Sequence, residues 1–223
     1  MYFTNLHNSF TMKRLVVYLV LVFLVAPLAA QVGNLTPITL QAPDKTRGLP
    51  VMQAFARRSS LTSFTAAPIS VRDLSDLLWA ANGVNRPDGK RTAPSAVNAQ
   101  DIDIYAFMEQ GVYLYDARQH QLVPVVAGDH RALNGFRAGE PVPALCLLLV
   151  SDVSRFRMGT DSLKLVFAAE DAGIVSQNIS LFCAGVGLGT RPRALMDTQG
   201  IKTLLQLGPT RHPMLNHPVC PVP

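Results

Sequence analysis

The chain has 223 residues, 20 Lys and Arg against 15 Asp and Glu, a formal net charge of +5, and 48% hydrophobic residues. That composition suits a globular protein with a real core, and the charge is too small to argue for nucleic acid as a partner. Three cysteines cannot all pair within one chain, and no Cys-x-x-Cys or His-x-x-x-His spacing occurs, which argues against a structural zinc site.

In chain order, Lys13 and Arg14 directly follow Met12 and lead into an apolar run from Leu15 to Leu28, then Ala29, Ala30 and Gln31. Charge, apolar stretch and small residues in this order read as a secretory signal, with Met12 as its start. The run is shorter than the ~20 apolar residues of a membrane span. Cleavage after residue 30 is therefore expected, leaving an exported and periplasmic protein with no stable membrane insertion. An uncleaved anchor is the alternative, and it would leave the domain on the same side of the membrane. The segment carries Lys13 and Arg14 and no acid, so the mature 193 residues hold a charge of +3. They suit one domain.

Residues 31–48, with Pro37, Pro43 and Gly48 and no periodicity, read as a surface-running lead-in. The domain proper is expected over 49–223. Apolar residues at 51, 52, 55 and 56 predict a short helix over Leu49 to Arg58 that delivers Arg57 and Arg58 at its C-terminal end. Ser70 with Asp73 three residues on predicts the start of a helix from Val71 to Ala81, which Asn82-Gly83 stops. After a polar loop the period changes to two. Ile102 to Phe107, Val112 to Tyr115 and Leu122 to Val126, separated by Gly111 and Asp116, predict an antiparallel meander. Ala144 to Val150 is a continuous apolar run, as expected of a central strand. The longest helix is expected over Leu163 to Val186, with its stripe at 165, 166, 169, 172, 175, 179, 182 and 186. Gly173 and Gly185 weaken it by ~1 kcal/mol each against alanine, so something is expected to pack close there. Met214 to Cys220, broken by Pro218, reads as an edge strand or an extended arm. Cys146 and Cys183 lie in apolar runs and read as core, whereas Cys220 is expected in a more exposed tail. His212 and His217 are expected at the surface. Strands between helices, without a β-α-β alternation, predict an α+β sandwich.

Two segments carry candidate chemistry. Arg57-Arg58-Ser59 offers two guanidinium forks and a hydroxyl where the chain leaves a helix, a set suited to a phosphate; the bland reading is a solvated helix end favoured by the macrodipole. Pro94-Ser95-Ala96-Val97-Asn98 combines rigidity, small residues and a side-chain amide, which suits a flat ring approaching the backbone. Its bland reading is a proline-serine turn. Arg91 is a further phosphate candidate or a surface charge.

Taken together with Gln177-Asn178-Ile179-Ser180-Leu181 and Gly187-Leu188-Gly189, these segments resemble, in order and spacing, the FMN-dependent nitroreductase family. The resemblance covers roughly residues 49 to 222, and the tail Leu215 to Pro221 is similar to that of the small branch that includes azoline-oxidising dehydrogenases. It implies a mixed or antiparallel sheet flanked by helices, in a two-fold homodimer with FMN where the subunits meet. Arg57, Arg58 and Ser59 would then meet the phosphate and the pyrimidine side of the ring, while Pro94, Ser95, Ala96 and Asn98 reach the ring or ribityl chain across the dimer. Ala194 and Leu195 would bring backbone N–H groups to N5 and the C4 oxygen, with Arg191 and Arg193 as further phosphate candidates. Leu61 stands where the family has an arginine, a lost charge-assisted contact of ~1.5 to 3 kcal/mol, and Cys220 replaces a glycine.

The implied activity is ping-pong hydride transfer at flavin N5 between small-molecule substrates, with no catalytic side chain demanded and NAD(P)H as a possible electron donor. The alternative is an exported flavin- or small-molecule-binding protein with little or no turnover, and a third reading is a structural dimer without cofactor.

Overall fold

The computed structural model describes residues 32–137 and 139–222, so the signal expected over 1–30 lies outside the described residues. The elements are β1 (Ile38–Thr39), α1 (Val51–Arg57), α2 (Val71–Asn82), β2 (Ile102–Met108), β3 (Gly111–Asp116), β4 (Gln121–Ala127), β5 (Leu145–Asp152), α3 (Asp161–Val186), β6 (Leu188–Thr190), α4 (Thr198–Leu204) and β7 (Arg211–Pro221). The strands form one sheet in the order β1-β4-β3-β2-β5-β7-β6, and every neighbouring pair is antiparallel. This is the expected α+β architecture.

Alternation along β5 divides the core. Leu145, Leu147 and Leu149 pack with α2 and α3 through Leu74, Leu77, Leu78, Val175 and Ile179. Cys146, Leu148 and Val150 face the other way, onto Ile201 and Leu205 at α4. A strand covered on both faces needs no polar alternation, which is why its sequence is continuously apolar. The α2 start is as expected: Ser70 Oγ accepts the Asp73 N–H at 3.0 Å and donates to Asp73 Oδ2 at 2.6 Å. Helix α4 carried no strong periodic signal because it has only two turns; Asp197 caps it by accepting from Gly200 N at 2.8 Å.

Several expectations are corrected. The lead-in is not merely surface-running: Ile38–Thr39 pairs with β4, and Arg47 Nη1 reaches the buried Asp76 at 2.9 Å. The terminal strand is interior, between β5 and β6. Pro218 is tolerated there because its carbonyl still accepts, at 2.9 Å from Thr190 Oγ1. Cys220 is consequently buried, as are Cys146 and Cys183, and all three are free thiols. His217 is buried rather than at the surface.

The two helices carrying the candidate motifs also turn differently from their patterns. In α1 only Ala54 is buried, while Val51, Met52 and Phe55 are more than half exposed. In α3 the inward stripe is Ala168, Ala172, Val175, Ile179 and Cys183, and Leu165 and Val166 point outward. Gly185 lies against Leu49, whose N–H donates to its carbonyl at 3.0 Å, whereas nothing stands within 4 Å of a Cβ built on Gly173. Close packing thus accounts for one glycine and not the other. Among the described residues no helix is long and apolar enough to cross a membrane.

Candidate functional site

The chain leaving α1 lies beside β6. Leu61 N donates to Thr190 O at 3.0 Å and Ser60 bridges Thr190 in parallel. Arg57, Ser59 and Leu61 therefore line one cavity of about 310 Å³ with Ser180, Cys183 and the 187–190 turn. Arg58 is exposed and does not line it. Neither arginine has an ion-pair partner among the described residues, so Arg57 faces the cavity with its charge unspent. Gly187, at φ 80°, ends α3 in the left-handed conformation that glycine adopts without strain. Gly189 is required for a different reason: a Cβ there would lie 2.7 Å from Leu61 Cδ2. Leu61 has thus become an apolar wall seated on the glycine of the Gly-Leu-Gly turn.

Beyond Thr190 the chain forms a strap beside the middle of β7. Arg193 N donates to Asn216 O at 2.9 Å, Asn216 N to Arg193 O at 2.8 Å, and Asn216 Nδ2 to Leu195 O at 3.0 Å. The strap, with Thr62, Arg137, Gly139 and Glu140, lines a larger, open cleft of about 720 Å³. Arg191 lies over the Phe64 ring and Arg193 over Phe136, and Arg193 also donates to Gly135 O. The backbone N–H groups of Ala194 and Leu195 make no hydrogen bond among the described residues. They are therefore available as donors.

The Pro94 loop is built around strain. Val97, Asn98 and Gln100 all have positive φ, at 47°, 54° and 49°, and for a β-branched residue this conformation costs ~1 to 2 kcal/mol. The loop is held from beneath: Ala96 N donates to both Asp171 carboxylate oxygens at 3.0 Å, Gln100 N to Ser95 Oγ at 2.8 Å, and Arg155 Nη1 to Gln100 O at 2.8 Å. Arg91 is spent on this loop, with Nε on Gln100 Oε1 at 3.1 Å. Asn98 and Val97 are exposed at the tip. Ser180 and Cys183 of the first cavity are nine to twelve residues farther along α3 than Asp171, or ~14 to 18 Å. Within one protomer the structure brings Arg57, Ser59 and Leu61 beside the 191–195 strap, and it does not bring Pro94, Ser95, Ala96 or Asn98 to them.

Several polar residues escaped the sequence reading. His217 Nε2 accepts from Ser176 Oγ at 2.8 Å, and its Nδ1 meets Thr190 Oγ1 at 3.1 Å. Since Thr190 Oγ1 donates to Pro218 O, the imidazole proton is assigned to Nδ1. Burial pushes this histidine down to about 3, so it is neutral and ties α3 to β6 and β7. Asp101 and Asp171 are both buried beneath the Pro94 loop. Burial, with Asp171 alongside, pushes Asp101 up to about 7. The available signal was polar residues on the inward stripe of α3: Asp171, Ser176 and Ser180 fall among Ala172, Val175 and Ile179. Asn178 of the Gln-Asn pattern ties α3 to α2 through Ala81 O at 3.2 Å.

An antiparallel sheet is crossed by a long helix, with a cationic cleft at that helix's C-terminal end. The chain belongs to the nitroreductase family, whose sequence profile matches residues 54–219, and it is thereby a flavin oxidoreductase in general. A curated candidate nitroreductase of Methanocaldococcus jannaschii is 25% identical over 190 residues, spanning 81% of this chain and 94% of that protein. The crystal structure of a candidate nitroreductase from Ralstonia eutropha JMP134 shares 33% identity at a TM-score of 0.80, covering 86% of this chain and 92% of that one. The fold is shared as well with a chain of the Escherichia coli microcin synthetase McbBCD complex with truncated pro-MccB17 bound. There the identity is 20% and the TM-score 0.62, over 74% of this chain and 70% of that one.

Proposed function

We propose that the protein is an exported, homodimeric FMN-dependent oxidoreductase. The observation that carries this reading is the pairing of Arg57 and Ser59 in one cavity with the free Ala194 and Leu195 N–H groups on the adjoining strap. This donor set fits the cofactor: a guanidinium and a hydroxyl suit a dianionic phosphate, and backbone donors suit a ring edge that gains negative charge on reduction. Bound FMN would supply the two-electron chemistry between two small-molecule substrates taken in turn, a ping-pong cycle. Arg57 would neutralise its phosphate, the strap would orient its ring, and Leu61 would form one apolar wall of the site.

Two observations support dimerisation. The strained Pro94 loop stands ~14 to 18 Å along α3 from the first cavity of its own protomer, and Val51, Met52, Phe55, Leu163, Leu165, Val166 and Val97 are all exposed apolar residues. A second copy related by two-fold symmetry would cover such surface and bring its Asn98 to the first copy's cleft. Titrating purified protein with FMN, and measuring its mass by light scattering, tests the reading. A perturbed flavin spectrum in a dimer is expected, and a monomer with no spectral change at any FMN concentration would refute it.

Leu61 favours a second reading, a flavin-binding protein with little turnover, because it replaces a phosphate-facing charge with an apolar wall. Oxidation of the dithionite-reduced, FMN-loaded protein by a nitroaromatic, faster than that of free reduced FMN, separates the two whatever the donor. An exported enzyme is removed from the cytosolic NAD(P)H pool, so an organic donor or another electron carrier is the natural first half-reaction.

A further inference from the structure

The larger cavity carries positive charge that the cofactor reading does not use. Arg137, Arg191 and Arg193 line it with one acid, Glu140, which leaves two positive charges unbalanced. Glu140 Oε1 lies 3.9 Å from Arg191 Nη2 and 3.8 Å from Arg193 Nη1, beyond hydrogen-bond range. Its other oxygen is occupied by Arg137 N at 3.0 Å. The glutamate therefore offsets charge without satisfying the guanidinium N–H groups. Arg193 is the telling case: its side chain is 9% exposed, and Nη1 has no hydrogen-bond partner among the described residues.

Both forks are already fixed in place. Arg191 stands 5.3 Å over Phe64 and Arg193 5.0 Å over Phe136; Arg193 Nη2 is spent on Gly135 O, while the Arg191 guanidinium makes no hydrogen bond among the described residues and keeps its fork for a planar oxyanion. Gly135 holds the arrangement close, since a Cβ there would lie 2.5 Å from Leu195 O. The rest of the lining includes Ala194 and the exposed Leu195, which suit an apolar body attached to the anion. This cavity and the one holding Arg57 share no lining residue.

We propose that Arg137, Arg191 and Arg193 form an oxyanion subsite for the second substrate, which is an organic anion bearing a carboxylate or phosphate on an apolar body. The inference deepens the flavin reading by naming the substrate class, and it assigns the two strap arginines to the substrate instead of the cofactor.

The test is calorimetric titration of the protein with 4-nitrobenzoate, 4-nitrophenyl phosphate and uncharged nitrobenzene, for wild type and for Arg191→Gln, Arg137→Gln and Arg193→Gln. Wild type is expected to bind at least one anion 10-fold or more tightly than nitrobenzene, and which of the two is preferred identifies the source of the oxyanion. Each variant is expected to cut the ratio of anion to nitrobenzene affinity by 10-fold or more. If Arg193→Gln does not fold, the two more exposed arginines still decide the matter. Equal binding of all three compounds by wild type, or equal loss for all three in the variants, overturns the proposal. So does loss of the preference for FMN over riboflavin in Arg191→Gln, which would return these arginines to the cofactor phosphate. FMN titration of the same wild-type sample is the separate readout of the flavin reading. Absent FMN binding with the anion preference retained would sink that reading alone, and FMN binding without the preference would sink the subsite alone.

Discussion

Replacing Asp101 with asparagine should make the protein more stable at alkaline pH, by an amount that grows with pH. Asp101 is fully buried; Oδ2 accepts from Ser151 Oγ at 2.5 Å, and Oδ1 has no hydrogen-bond donor among the described residues. Burial, and then the adjacent Asp171, raise its carboxyl from 3.8 to about 7. The unfolded chain releases this proton near pH 4 while the folded chain holds it to about 7. The stabilising contribution is therefore complete below ~4 and lost as pH rises through 7, and three pH units at ~1.4 kcal/mol each set a ceiling of ~4 kcal/mol. Asp101→Asn keeps an acceptor for Ser151, presents an amide N–H to Asp171, and makes the neutral form permanent. Relative to wild type, the variant should be about equally stable at pH 4 and ~2 to 4 kcal/mol more stable at pH 8. The wild-type curve alone is flatter, because buried His217, depressed to about 3, contributes stability that rises with pH from 3 toward 6.5, the opposite slope. Urea denaturation of both proteins at half-unit steps from pH 4 to 8.5 gives the difference directly. A difference independent of pH, or a variant less stable than wild type at pH 8, would refute the buried-carboxyl argument.

Arg57→Ala should weaken FMN binding by ~2 to 4 kcal/mol while urea stability shifts by only a few tenths, since the side chain is exposed at a helix end; unchanged FMN affinity by fluorescence titration would reduce Arg57 to a solvated charge. Leu61→Arg should tighten FMN by ~1 to 3 kcal/mol, because Leu61 lines the same cavity as Arg57 and the new guanidinium can enter it. Unchanged affinity in a folded variant would place the phosphate elsewhere, and a collapsed melting transition would show that the Leu61 contact with Gly189 is needed for folding. His217→Leu should cost ~1 to 3 kcal/mol in denaturant melts, since Ser176 Oγ loses a buried acceptor and Thr190 Oγ1 a buried donor; a neutral result would mean that Ser176 re-pairs with a backbone carbonyl and that Thr190 is satisfied by its bond to Pro218 O.

The elements with the strongest local signals were legible from sequence. The α2 cap at Ser70 and Asp73 is a contact between residues three apart, so the sequence states it in full. The β2 to β4 meander and the continuously apolar β5 follow from period and turn chemistry, and the three separated motifs carried the family. Which face of a short helix turns inward was another matter. The apolar residues of α1 point to solvent, because Ala54 is small enough to lie against the last turn of α3 and Val51, Met52 and Phe55 are not.

For the candidate site, sequence singled out Arg57, Ser59 and the 191–195 segment, each next to a recognisable helix end. It could not see that Leu61 packs on Gly189, that Arg91 is spent on Gln100, or that the Pro94 loop stands well away from Arg57 in the same protomer. Those facts depend on contacts between residues tens of positions apart. The same limit hid His217 and the Asp101–Asp171 pair: a histidine between prolines or an aspartate after a loop looks solvated until the sheet closes over it. Sequence by itself determined the longer helices and strands and the family they compose, because those follow from interactions within a few residues, whereas the short β1, β6 and α4 came only with the fold. Only the tertiary structure decided which charges are buried, paired or left free, because desolvation and pairing are set by what the fold brings alongside.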